Sequence, residues 1–162
     1  GTERVFEAYK KLDEKFDFIV NIQGDEPFIK KEQLSDIISI CKKPNEICTL
    51  VKKEEYSDNL ERESIMKVVI NSNNEAMYFS RSLIPYQCIK KNYLKHICIY
   101  AYDPMTLKKI ISLPQSSLEK FESLEQLRWL ENGFKVNVKI TNHDSFSIDT
   151  KEDLILAENY LN

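Results

Sequence analysis

Short apolar runs alternate along this chain with segments of helical periodicity, and this alternation restricts the possible folds more than any other feature. Residues 16–22 (FDFIVNI) form a nearly continuous apolar run, which is typical of a buried parallel strand. Residues 31–43 follow with apolar side chains at helical spacing. Strands that alternate with helices in this way favour a layered α/β domain.

The remaining elements continue the pattern. Further strands are predicted over 46–51, 65–70, 76–79, 95–102 and 135–140, and further helices over 1–12, 105–112, 118–132 and 150–161. The polar run Asn71–Asn74 predicts a hairpin, expected to be an insertion or arm. Gly133 is placed to end one helix, and Thr150 with Asp153 resembles a capping box that begins another. No linker interrupts the chain, so residues 1–162 are expected to form a single domain.

Composition excludes some classes of partner. The net charge of -3 comes with no basic patch, which argues against nucleic acid. No apolar run reaches the roughly 18–20 residues that a membrane span requires. The four cysteines show no C-x-x-C pair, which favours reduced thiols in a cytoplasmic protein.

The segment Gln23–Pro27 (QGDEP) is the strongest local signal for chemistry. It follows the first predicted strand, and ligands of open α/β sheets bind at the carboxyl ends of the strands. Gly24 allows the backbone to approach a ligand closely, and Asp25 can project into the crevice. The alternative is an ordinary turn, which uses the same residue types.

A second acidic position, Asp149, stands just before the last predicted helix. It either caps that helix or reaches the same crevice as Asp25 and binds a divalent cation. Two carboxylates about 4 Å apart would repel by roughly 4 kcal/mol at an effective dielectric of 20, so they would need a cation or a proton between them. Mg²⁺ accepts one or two carboxylates together with phosphate oxygens. This hypothesis requires the two side chains to be close in space.

Other polar residues interrupt apolar segments. Arg81 follows a predicted strand, and His96 shares a strand face with Cys98, Tyr100 and Tyr102. A single histidine in a strand is more often structural than a ligand. Glu125, Gln126 and Arg128 lie in the predicted helix 118–132, where a solvated face with local ion pairs is the alternative to a binding role. The chain has only three glycines and none of the common phosphate-loop or hydrolase motifs.

Taken in order, six segments resemble the 3-deoxy-manno-octulosonate (KDO) cytidylyltransferases, which join CMP to an acidic sugar. The segments are GTER, NIQGDEPFI, MYFSRSLIPY, HICIYAY, SLEKFESLEQLRWLENG and SIDTKEDL. Each is weak alone, but their order and approximate spacing agree with the family. The LEQLR helix and the HICIYAY strand point to KDO enzymes rather than to the sialic acid cytidylyltransferases.

The resemblance implies a three-layer α/β/α nucleotidyltransferase fold with a mixed, Rossmann-like sheet, acting as a cytoplasmic homodimer in lipopolysaccharide precursor synthesis. The implied reaction is in-line attack by the anomeric hydroxyl of KDO on the α-phosphate of CTP, which gives CMP-KDO and pyrophosphate. By the same resemblance, Asp25 and Asp149 are catalytic and hold Mg²⁺, and Arg4 and Gln23 bind the nucleotide. The implied sugar pocket consists of Arg81, His96, Tyr100, Glu125 and Gln126. In it Arg81 suits the sugar carboxylate, because an arginine–carboxylate pair is charge-assisted.

The sequence departs from the family in two places. Cys98 and Ala101 stand where glycines are expected, which bears on the fit of the sugar. No segment matches the basic loop P-A-R-x-x-S-x-R-L-P-G-K that begins family members, so the chain is expected to be the C-terminal two-thirds of such an enzyme, with little transferase activity alone. Two alternatives stay open: a cytidylyltransferase for a related acidic sugar, and a non-catalytic binding or dimerisation module of the same fold.

Overall fold

A mixed β-sheet forms the centre of the protein. The computed structural model describes residues 1–42, 44, 46–57, 61–86, 92–145, 147–148 and 150–161. Within them the strands are β1 Ile19–Ile22, β2 Ile47–Glu54, β3 Lys67–Ile70, β4 Ala76–Ser80, β5 Tyr93–Tyr102 and β6 Val136–Thr141. The helices are α1 Thr2–Lys10, α2 Lys31–Ile40, α3 Pro104–Ile111, α4 Ser117–Glu122, α5 Glu125–Glu131 and α6 Lys151–Leu161. None of these described helices has both the length and the apolar character needed to cross a membrane.

The strand β5 organises the sheet, whose order is β4-β3-β5-β2-β6. One edge of β5 pairs along its length with β2. The other edge pairs with β1 at one end and with β3 at the other. All three neighbours run antiparallel to β5, whereas β2 and β6 are parallel to each other. The predicted mixed sheet is therefore confirmed.

Side chains alternate across β5 and separate two cores. Tyr100 and Tyr102 face a large cluster that includes residues of α3, α4 and α5. Ile97, Ile99 and Ala101 face the opposite side, where they pack with Ile37 of α2. Strand residues of even and odd number must point to opposite faces, so the sequence pattern fixes which side chains each helix layer covers. The result is the three-layer α/β/α arrangement that the family resemblance implied.

The predicted hairpin is β3–β4. Asn71 forms its turn, because the side-chain oxygen accepts hydrogen bonds from the backbone N–H groups of Asn73 and Glu75. The hairpin extends the central sheet rather than standing apart from it, since Lys67 and Val68 pair with β5. This pairing brings the end of β4 towards the helices that cover the sheet.

The first strand is shorter and less buried than the sequence predicted. It begins at Ile19 rather than at residue 16, and Phe16 is 43% exposed. Within the described residues β1 pairs with β5 alone, so its other edge carries no strand. The apolar run therefore identified the strand correctly, but the prediction of a buried parallel strand is wrong among the described residues, where β1 is antiparallel to β5 and only partly buried.

The helix predicted over 118–132 is wrong as a single element. It divides into α4 and α5 at Ser123, whose φ of 54° is left-handed and cannot continue an α-helix. Contacts with β4 hold the break: the Glu122 carboxylate accepts from the Ser80 hydroxyl at 2.7 Å and from the Arg81 backbone N–H at 2.9 Å. These partners are distant in sequence, so helical periodicity alone could not reveal the break.

Two predicted helix ends are confirmed. Gly133 has a φ of +78°, and Phe134 N–H donates to the carbonyl of Trp129, which closes α5. Before α6, the Asp153 carboxylate accepts from the backbone N–H and the hydroxyl of Thr150, and the Thr150 hydroxyl accepts from Asp153 N–H. Local hydrogen-bonding rules were sufficient at both positions.

Candidate active site

A cleft of about 1060 Å³ opens beside the middle of β5, between the segment after β1 and the junction of α4 and α5. Its size is at the upper end of the range for small-molecule sites, roughly 300–1000 Å³. Seven of the nine predicted site residues line it: Gln23, Asp25, Arg81, His96, Tyr100, Glu125 and Gln126. Residues up to about a hundred positions apart in sequence thus meet in one cavity.

The two other predicted site residues are Arg4 and Asp149. Arg4 is exposed on α1 and does not line the cleft, although its neighbour Thr2 does. Asp149 lies outside the described residues. The residue before it, Ile148, donates its backbone N–H to the carbonyl oxygen of Asp25 at 2.8 Å, and Ser147 lines the cleft. The segment before α6 therefore lies against the segment after β1.

His96 is neutral and its orientation is set by β2. Its Nε2 lies 2.9 Å from Thr49 Oγ1, and the Thr49 hydroxyl donates to the carbonyl of Ile99 at 2.7 Å. Because that hydroxyl has a single proton, Nε2 must carry the ring proton and Nδ1 is left as an acceptor. Burial lowers the pKa of His96 to about 3. Nδ1 lies 3.8 Å from the sulfur of Cys98, a weak donor with which a ligand hydroxyl would compete. The ring is a weak base at neutral pH.

Two side chains that line the cleft, Tyr100 and Trp129, each carry a buried polar atom. The Tyr100 hydroxyl and the Trp129 indole nitrogen have no hydrogen-bond partner among the described residues. Their rings contact edge to face with centroids 5.0 Å apart. Burial raises the pKa of Tyr100 above its usual range, so its hydroxyl keeps its proton. A buried polar group left unpaired costs about 1–3 kcal/mol, which favours a ligand or solvent oxygen at this position.

Arg81 presents a positive charge that no carboxylate of the described residues pairs with. Its guanidinium donates instead to backbone carbonyls, from Nε to Glu122 at 2.9 Å and from Nη1 to Glu63 at 2.7 Å. A longer contact of 3.4 Å joins Nη2 to the carbonyl of Ser123. Three of the five guanidinium N–H groups are used in this way, which leaves two for a ligand. The same contacts fix the α4–α5 junction.

Glu125 and Gln126 enter the cleft from the first turn of α5. The Glu125 carboxylate accepts a hydrogen bond of 2.7 Å from the Thr2 hydroxyl, which joins the beginnings of α1 and α5. Gln126 is 5% exposed and its amide nitrogen lies 3.7 Å from the sulfur of Met66, a weak acceptor. Both side chains thus line the cleft with oxygen or nitrogen atoms suited to sugar hydroxyls. Arg128, by contrast, forms an ion pair with Glu119 of α4. Because both side chains are largely buried, the expected solvated face is wrong at this position.

The cleft is acidic. Among the described residues, Arg81 is its one cationic side chain. Five carboxylates line it: Asp25, Glu61, Glu63, Glu122 and Glu125. No group of three His, Cys, Asp or Glu side chains suited to a metal occurs in the described part of the chain. Mg²⁺ needs only one or two protein carboxylates when phosphate oxygens complete its coordination. The exposed carboxylate of Asp25 fits such an ion.

Trp129 and Glu122 are two of the cleft residues that the sequence analysis missed. Trp129 lies four positions after Glu125, so the helical repeat could have placed it on the same face. Glu122 had no such signal, because its position depends on the break that follows α4 and on contacts with β4. Helical spacing can identify the first kind of residue but not the second.

A second cavity of about 440 Å³ adjoins the first and contains Glu26. This side chain is 7% exposed, and its Oε2 has no hydrogen-bond partner among the described residues. Burial, reinforced by the charge of Asp25, raises the pKa of Glu26 to about 7, against the opposing effects of Lys95 and Ser145. The folded protein therefore holds this proton over a pH range in which the unfolded chain has lost it.

Glu26→Gln is expected to remove a pH dependence of stability. Between pH 4.5, the usual glutamate pKa, and about 7, Glu26 is protonated in the native state but ionised in the unfolded chain. The free energy of unfolding is therefore highest at the lower pH and falls as pH rises through this range. At 1.36 kcal/mol per pH unit the loss amounts to about 3 kcal/mol. Urea unfolding at a series of pH values would measure it. Glu7→Gln, at an exposed position of α1, is the control, and a variant that keeps the parent's pH dependence would contradict the assignment.

Comparison with known proteins agrees with the fold and with the cleft. The family model described as cytidylyltransferase matches residues 1–140. A 3-deoxy-manno-octulosonate cytidylyltransferase of Parabacteroides distasonis is 50% identical over 99% of this chain and 69% of its own length. The enzyme of that name from Thermodesulfovibrio yellowstonii is 46% identical over 100% of this chain and 69% of its own. A solved structure of CMP:2-keto-3-deoxy-manno-octonic acid synthetase complexed with CTP superposes with a TM-score of 0.82 at 33% identity, covering 99% of this chain and 67% of that one. The chain therefore belongs to the cytidylyltransferase family.

Proposed function

We propose that this protein transfers CMP from CTP to 3-deoxy-manno-octulosonate, which gives CMP-KDO and pyrophosphate. One observation carries the proposal. Seven residues expected to bind nucleotide, sugar or metal line a single cleft, in a chain 46–50% identical to relatives named for this reaction. The sugar oxygen forms a bond to the α-phosphorus as the bond from that phosphorus to the departing pyrophosphate breaks.

The sugar is proposed to lie between β5 and the α4–α5 junction. Arg81 supports this assignment, because its two remaining guanidinium N–H groups suit the sugar carboxylate. His96 and Tyr100 supply an acceptor nitrogen and a hydroxyl for the sugar hydroxyls. Since the pKa of His96 is about 3, we assign it to holding the sugar and not to removing the proton of the attacking hydroxyl. Holding the sugar in one position in this way uses binding energy to orient its attacking hydroxyl correctly.

The nucleotide is proposed to lie on the side of Gln23 and Asp25, with Asp25 and Asp149 as ligands of Mg²⁺. The hydrogen bond from Ile148 to Asp25 supports this pair, because it brings the chain segment adjoining Asp149 to Asp25. When bound, Mg²⁺ supplies charge stabilisation to the phosphate oxygens. Arg4 is retained as a nucleotide contact on the resemblance alone, since it is exposed on α1.

The biological setting is proposed on the resemblance alone. It comprises a cytoplasmic location, a homodimer and a step of lipopolysaccharide precursor synthesis. We also propose that residues 1–162 fold as a single domain.

A related acidic sugar is the second candidate substrate, and Cys98 favours it. This side chain lines the cleft at a position where the KDO enzymes are expected to have glycine, so it narrows the space beside His96. An amino-substituted KDO presents the same carboxylate to Arg81 with a different group elsewhere on the ring.

The proposal predicts that the protein expressed from its complete gene forms CMP-KDO from CTP and KDO in the presence of Mg²⁺. Pyrophosphate release would measure the rate, with KDO, amino-substituted KDO and sialic acid compared side by side. A higher kcat/KM with the amino sugar than with KDO would favour the second candidate. CTP binding without turnover of any acidic sugar would support a non-catalytic module and contradict both.

A further inference from the structure

We propose that the indole N–H of Trp129 donates a hydrogen bond to a hydroxyl of the bound sugar, so that Trp129 is a specificity-determining residue of the cleft. The inference rests on the proposed function, because it deepens the assignment of the sugar pocket. It adds a contact that none of the predicted site residues provides.

The first observation is the position of the indole. Trp129 is 1% exposed, it lines the cleft, and its Nε1 has no hydrogen-bond partner among the described residues. An indole N–H only donates, so it requires an acceptor, and buried polar groups in native proteins nearly always have a partner. A ligand oxygen in the cleft meets this requirement.

The second observation is the group that surrounds it. Tyr100, in edge-to-face contact with Trp129, lines the same cleft and carries a second polar atom that has no partner among the described residues. Glu125 and Gln126 precede Trp129 by four and three positions, so one face of α5 brings all three side chains to the cleft. Since independent elements place polar atoms at one site, the unpaired indole nitrogen is part of a binding surface and is not an isolated defect of packing.

The third observation concerns the chemistry of the acceptor. A sugar hydroxyl can accept from the Trp129 indole and at the same time donate to an acceptor of the same cleft. The Glu125 carboxylate is one such acceptor, and His96 Nδ1 is another, in competition with the Cys98 sulfur. A site whose buried donor is satisfied by one substrate hydroxyl discriminates against analogues that lack it. The sugar carboxylate, in contrast, is matched by Arg81.

The test uses the fact that the chain contains one tryptophan. A ¹⁵N-labelled sample of residues 1–162 therefore gives a single indole N–H resonance, and in a longer protein the resonance of Trp129 is the one that Trp129→Phe removes. We expect it to move downfield and to exchange more slowly with solvent when KDO and CTP are added. Trp129→Phe keeps an aromatic ring and removes the donor, and it is expected to raise the Kd for KDO about 3- to 10-fold, the usual effect of one neutral hydrogen bond. The Kd for CTP is expected to stay within twofold.

Tyr102→Phe is the matched control, because Tyr102 contacts the same indole edge to face but does not line the cleft. Urea unfolding of both variants would separate loss of fold from loss of binding. If the parent protein binds KDO and the indole resonance stays unchanged, or Trp129→Phe binds KDO as tightly as the parent, the inference is overturned while the proposed function stands. If the parent binds neither KDO nor CTP, both fail.

Discussion

Asp25→Asn is expected to reduce the rate of CMP transfer at least about 100-fold, because a divalent ion at the phosphates supplies several kcal/mol of charge stabilisation. The exposed carboxylate of Asp25 lines the cleft, and asparagine keeps nearly the same shape without the charge. The fold should be retained, since the contact with Ile148 uses the backbone carbonyl of Asp25 and not its side chain. Pyrophosphate release over a range of Mg²⁺ concentrations would measure both the rate and the dependence on the metal.

The pairing of Asp25 with Asp149 is tested by a double-mutant cycle. Asp149→Asn is expected to cause a similar loss, and the double variant to be little worse than either single variant, because both remove ligands of one ion. Asp17→Asn, at an exposed position before β1, is the control. Independent, additive effects of the two substitutions, or turnover of Asp25→Asn within threefold of the parent, would contradict the shared magnesium site.

The second large effect is expected from Arg81. Arg81→Met should raise the KM for KDO about 10- to 150-fold, the range for loss of a hydrogen bond to a charged group, and leave the KM for CTP nearly unchanged. The reason is that the guanidinium forms no ion pair with a described carboxylate and retains two N–H groups for the sugar. Initial rates with both substrates varied would separate the two constants.

Arg81 can affect KDO binding by direct contact with the sugar or by its effect on the fold, because it also donates to the carbonyls of Glu63, Glu122 and Ser123. The two contributions must be distinguished. The methyl ester of KDO serves this purpose. It removes the substrate charge, so the parent should bind it poorly and Arg81→Met should bind the acid and the ester about equally. Arg62→Met, which breaks a pair with Asp153 outside this cleft, is the control for general destabilisation. A variant that still prefers the acid would show that Arg81 acts through the fold alone.

Several elements followed directly from local pattern. The alternation along β5 predicted which side chains of that strand share a face, and the capping residues of α5 and α6 predicted where those helices end or begin. The separation of α4 from α5 did not follow, because the partners of Glu122 are Ser80 and Arg81, about forty residues earlier. Short-range rules describe hydrogen bonds within a turn or a cap, whereas a helix break held by a distant strand depends on tertiary packing.

The sequence by itself determined the layered α/β class, the faces of the strands and the residue types available for binding a nucleotide and an acidic sugar. Only the tertiary structure decided that residues 23, 81, 96 and 125 share one cleft and that His96 is held neutral. It also decided that Trp129, whose indole nitrogen has no partner among the described residues, lines the same cleft. The physical reason is that periodicity and capping act over a few residues. Burial, proton affinity and the absence of a hydrogen-bond partner are instead properties of surroundings that the whole chain creates.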